Sequence, residues 1–159
     1  MRAMARAAGL SGALALALVC AASVQPGFAA GGARYCASGA VGKIAAAVPR
    51  KLEPLVAEAF GISADQARES AYVRCAGAKL MACWVGANVD CGKANVHRSL
   101  LGANAYCRDN PGSDSIPMAA TGHDTIYDWR CDGKRAVAGA ANRAVDAQGY
   151  IADNWKELP

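Results

Sequence analysis

The 159-residue chain is poor in histidine, with two, and in phenylalanine, also with two. With so few imidazoles and no C-x-x-C pair, zinc sites of the finger or ribbon type are excluded, and no metal or cofactor is expected. Charge of one sign is also missing. Seventeen basic residues stand against thirteen acids, and once Arg2 and Arg6 are set aside the formal net charge falls from +4 to +2. Such a balance leaves no electrostatic footprint for nucleic acid. Beyond residue 30 there is no apolar run of bilayer length, so no stable membrane insertion is expected there.

What is present begins with the first thirty residues. Arg2 and Arg6 form a basic start, Leu10 to Ser23 an apolar stretch, and Gly27-Phe28-Ala29 a small-residue site ahead of Ala30. This order predicts a secretory signal peptide over 1–29, cleaved to leave a single domain over 30–159 in the periplasm or outside the cell. Cys36, Cys75, Cys83, Cys91, Cys107 and Cys131 remain, an even number, and in an oxidising compartment they read as three disulfides. Six cysteines allow 15 pairings, and spacing alone does not select one.

Along the chain, "VPRKLEPLVAEAFG" predicts a helix with Pro54 in its first turn and Gly61 as its left-handed stop. Ser63 and Gln66 fit a capping box for a short helix through Ser70. Residues 70–92, rich in β-branched and aromatic types and punctuated by Gly77, Gly86 and Gly92, predict two or three short strands. A helix is expected across Ser99 to Asn110, turning Leu101, Ala105 and Cys107 inward.

In "TGHDTIYDWRCDGK" (121–134), a strand over 125–131 sets Tyr127, Trp129 and Cys131 on a core face and Ile126, Asp128 and Arg130 on the other. Asp132-Gly133 then reads as the two-residue turn of a hairpin returning through Lys134 to Ala138, with Arg130 opposite Arg135. "YVRCAGAKLMACWVG" echoes "YDWRCDGKRAVAGA", two hairpins with similar turn chemistry, and "AVDAQGYIADNW" reads as a further hairpin about Gly149. The expected architecture is α+β: amino-terminal helices on a small, mostly antiparallel sheet stapled by disulfides.

Candidate chemistry centres on His123, with Asp124 or Asp128 as a helper and Ser113 or Ser115 as a nearby hydroxyl, the ingredients of a small hydrolase. Neighbours on a strand point to opposite faces, however, so Asp124 is poorly placed to orient His123, and a core-edge histidine is the favoured reading. His97, beside Lys93 and Arg98, reads as a surface residue. Arg74, Lys79, Arg130, Lys134 and Arg135 would form a basic binding surface at the hairpin tips, or charges that keep sheet edges soluble. The tryptophans Trp84, Trp129 and Trp155 read as core.

"IPMAATGHDTIYDWRC", "RCAGAKLMACWVGANVDCGKAN" and "VDAQGYIADNWKEL" together resemble a group of small exported bacterial proteins sharing a T-G-H-x-T-I-Y-x-W-x-C segment. That resemblance implies export and assigns no activity. The Y-x-W-x-C texture of Tyr127, Trp129 and Cys131 is also faintly similar to periplasmic lysozyme inhibitors, which would imply a protein partner. The leading expectation is a non-enzymatic module that binds an envelope protein or a small ligand. A hydrolase centred on His123 is the alternative.

Overall fold

The computed structural model describes residues 31–159 apart from Ala87; the expected signal peptide lies outside the described residues. The chain is α+β, with helices packed on antiparallel strands and three disulfides.

The amino-terminal layer starts with helix α1 (Gly31–Ala37) and a short strand β1 (Ala46–Ala47). A 3-10 turn at Arg50–Leu52 runs into α2 (Glu53–Phe60), where Pro54 sits in the first turn because no amide there needs an intrahelical partner. Gly61 stops the helix at φ 65°, a left-handed conformation that costs glycine nothing. Helix α3 (Ala64–Ser70) opens with the expected reciprocal cap. The Gln66 amide donates to Ser63 Oγ at 3.1 Å, and the Ser63 amide to Gln66 Oε1 at 3.0 Å.

Strands β2 (Ala71–Ala76) and β3 (Lys79–Trp84) form a hairpin across the two-residue loop Gly77-Ala78. β1 lines one edge, and β6 (Lys156–Glu157) returns from the carboxyl end to line the other, giving the order β1-β2-β3-β6. Alternation sends Ala71, Val73 and Cys75 of β2 towards α2, where Leu52, Val56, Leu80 and Leu158 complete the main core. The opposite face of this sheet is covered by Tyr150 and Trp155, packed with Cys83 and Cys91.

The second half repeats the helix-plus-hairpin plan. Helices α4 (Leu101–Asp109) and α5 (Met118–Thr121) flank the hairpin of β4 (Tyr127–Asp132) and β5 (Arg135–Ala141). Trp129, Cys131, Cys107, Ala103 and Ile116 make a separate buried cluster.

Several expectations are corrected here. The turn is Gly133-Lys134 rather than Asp132-Gly133: Asp132 pairs with Arg135, Cys131 with Ala136 and Trp129 with Ala138. The cause is conformational. The first loop residue carries φ 55°, and among the described residues only glycines take positive φ, so Gly133 occupies that place and Asp132 stays in the strand. Arg130 therefore faces Val137, and the apposition with Arg135 does not occur. Ile126 lies ahead of the strand and is buried, while Tyr127 is half-buried beside a register shift between Tyr127 and Trp129. Leu101 is 92% exposed, because the inward stripe of α4 runs through Ala103 and Cys107, one helical turn apart.

Of the 15 possible pairings the fold makes Cys36–Cys75, Cys83–Cys91 and Cys107–Cys131. The first ties α1 to β2, the second closes the loop after β3, and the third ties α4 to β4. Among the described residues no helix is long and apolar enough to cross a membrane. Three buried disulfide bridges fit an oxidising compartment.

Candidate functional site

Tyr72 sits on the face of β2 opposite the helices and is exposed. There a cleft of about 500 Å³ opens between Ala45, Tyr72, Val85, Val89, Asp90 and His123. Its walls are mainly apolar: Ala45, Val89, the Cys91 end of a disulfide, and at the rim the exposed Tyr72 and Val85. Two ionisable groups besides Tyr72 line it, Asp90 and His123. An exposed apolar rim around a few polar groups has the general make-up of a ligand seat.

The walls are held from behind by one guanidinium. Arg143 Nη1 donates to the His123 carbonyl at 2.8 Å, and Nη2 to Asn154 Oδ1 at 2.8 Å. Asn154 Nδ2 in turn donates to the Asp90 carbonyl at 2.7 Å, so the backbones of His123 and Asp90 are fixed through Arg143 and Asn154. The Asp124 carbonyl accepts from the Asn95 amide at 2.8 Å. Gly122, at φ 87°, leaves the space into which the Asp124 carboxylate folds; a Cβ there would collide with it. Cys91, which lines the cleft, is tied by its disulfide to Cys83 in β3. Asp90 Oδ1 accepts from the Gly92 amide, leaving its second oxygen without a partner among the described residues.

The imidazole of His123 has two different nitrogens. Nδ1 is buried and has no hydrogen-bond partner among the described residues, which leaves Nε2 as the nitrogen open to a partner from outside. A proton on Nδ1 would be a sealed, unpaired donor, costing roughly 1–3 kcal/mol. With the proton on Nε2 the sealed Nδ1 carries a lone pair instead of an unpaired N–H, and in that tautomer His123 offers a donor.

The helpers expected from the sequence do not gather around it. Asp124 makes no hydrogen bond to the ring. Asp128 lines a second concavity of about 410 Å³ with Asp114, Ser115 and Tyr127, and its Oδ1 accepts from Asn142 at 2.6 Å. Ser113 spends its hydroxyl on the Ser115 carbonyl at 2.7 Å. The residues that do join His123, namely Tyr72, Val85, Val89 and Asp90, carry no motif; the one sequence signal was "TGHD" itself, polar residues ahead of a strand without an evident turn role.

The basic set also divides. Lys79 is exposed and paired with Glu157 at 2.6 Å, while Arg130, Lys134 and Arg135 are exposed on the other hairpin. Arg74 leaves the surface set altogether: it is 1% exposed, the most deeply buried charge of its sheet. Its guanidinium lies 4.4 Å from the ring centroids of both Tyr150 and Trp155, pairs with Asp146 at 2.5 Å and donates to Gln148. Aromatic faces and a carboxylate replace the water a buried arginine loses. Burial works against the charge on Asp146, but the amides of Tyr150 and Gln148 and the Arg74 guanidinium more than offset it, holding its carboxyl below the usual carboxylate range.

Comparison of the chain with protein-family models, curated proteins and solved structures gave no significant match.

Proposed function

We propose that the protein is an exported, non-enzymatic binding module whose ligand sits in the His123 cleft. The observation that carries this reading is the unpartnered Nδ1 of His123. A histidine acting as general base at Nε2 needs a second group to hold the proton on Nδ1 and to steady the imidazolium that forms. Among the described residues no carboxylate bonds to the ring and no hydroxyl donates to it, so His123 serves as a hydrogen-bond donor in an apolar seat. Export is supported by the amino-terminal pattern of residues 1–29 and by the three disulfides.

A fragment screen by 1H-15N NMR on the oxidised protein tests the reading. Shift changes should converge on Tyr72, Val85, Val89, Asp90 and His123, and a panel of chromogenic ester, phosphate and glycoside substrates should stay unhydrolysed. Fragments that leave these residues untouched, or turnover lost on His123→Ala, would refute it.

A further inference from the structure

We infer that the His123 cleft selects an uncharged amide carrying an apolar side chain, such as a segment of peptide backbone, over a carboxylate of the same shape. The inference rests on the cleft being the ligand seat and adds the chemistry of the ligand. Three features of the lining combine. His123 lines the cleft with its Nδ1 sealed, so Nε2 is the ring nitrogen left to donate to a ligand. Asp90 has one oxygen held by the Gly92 amide and one free, an acceptor carrying negative charge. Tyr72, Val85, Val89 and Ala45 supply an apolar wall that sheds water when covered.

An amide answers both polar groups at once, its carbonyl accepting from Nε2–H and its N–H donating to Asp90. A carboxylate answers the first and is repelled by the second. No lysine or arginine lines the cleft among the described residues to offset that repulsion. Arg143, the nearest cation in the hydrogen-bond network, has Nη1 on the His123 carbonyl and Nη2 on Asn154, behind the wall. Specificity here arises from an uncompensated charge against the wrong ligand as much as from contacts to the right one.

Three probes sharing one side chain separate the possibilities: N-acetyl-L-leucine methylamide, N-acetyl-L-leucine and L-leucine methylamide. Each is titrated at pH 7.4 into the purified, oxidised, 15N-labelled protein. The uncharged probe should shift Tyr72, Val85, Val89 and His123 and bind at least fivefold more tightly than the carboxylate. His123→Leu should weaken it about fivefold, whereas His123→Gln, which keeps a side-chain N–H, should restore most of the loss. Asp90→Asn should narrow the gap between amide and carboxylate. Equal or tighter binding of the carboxylate in the wild-type cleft would overturn the inference while leaving the cleft as a ligand seat, and so would binding of the cationic L-leucine methylamide more weakly than the carboxylate. Failure of all three probes to shift the cleft residues, when other fragments do, would also overturn it.

Discussion

Single residues divide by what a sequence reveals of them. Gly61 and the Ser63/Gln66 cap were legible because their reasons are local: a left-handed φ and two amides within three positions. Arg74 was not, since its surroundings come from Asp146, Gln148, Tyr150 and Trp155, more than seventy positions away. His123 stood between these cases, conspicuous as a residue but with cleft partners from other segments of the chain. The Arg74–Asp146 pair yields a prediction of its own. Replacing Asp146 with Asn strands a guanidinium that is 1% exposed and should cost about 3 kcal/mol at neutral pH, read from chemical denaturation. Because the folded state holds the Asp146 carboxyl below its usual range, its contribution is complete above the unfolded value of about 3.9 and is lost as pH falls below that. The wild-type melting temperature should thus drop steeply below pH of about 4, and Asp146→Asn should flatten that limb of the profile.

Among the elements, the echo between the hairpins proves to be one plan used twice. Arg74-Cys75-Ala76-Gly77 and Arg130-Cys131-Asp132-Gly133 occupy equivalent places, each cysteine two residues before the loop glycine. Each of these cysteines is bridged to a helical Tyr-Cys, Tyr35-Cys36 in α1 and Tyr106-Cys107 in α4. From Tyr72 to Cys75 is three steps and from Tyr127 to Cys131 four, and the register shift after Tyr127 adds a further residue in β5, so the equivalence of the two hairpins ends before the tyrosines. Gly77 at φ 64° and Gly133 at φ 55° hold the same first loop position, an equivalence visible once both hairpins are seen in three dimensions. Gly133→Ala should cost about 1 kcal/mol in stability, since a Cβ is strained at φ 55°, whereas Gly42→Ala, at a glycine without positive φ, should change it by less than about 0.5 kcal/mol. Equal effects of the two substitutions would count against this account of the turn.

For the molecule as a whole, α+β class and disulfide content followed from pattern and cysteine parity, while pairing and the cleft awaited the three-dimensional chain path. The disulfides enclose unequal lengths, with separations of 39, 8 and 24 residues, and so constrain the unfolded chain unequally. In the chain-entropy view, replacing Cys36 and Cys75 together by Ser should cost about 4 kcal/mol, against about 2.5 kcal/mol for Cys83 and Cys91. The second pair of substitutions should in addition loosen ligand binding, since Cys91 lines the cleft; calorimetry and NMR titration of both double variants check the order. Another closure needs no covalent bond. The Gly32 amide donates to the Pro159 carbonyl at 2.8 Å, and a Cβ at Gly32 would lie only 2.9 Å from that oxygen, so the described chain meets itself end to end. Mechanically this makes a ring with one weak link. A load applied at Gly31 and Pro159 first breaks that hydrogen bond and draws Leu158 from its socket. The bridge at Cys36 and Cys75 then takes the strain, and the stretches enclosed by the three bridges stay locked behind covalent bonds under tension.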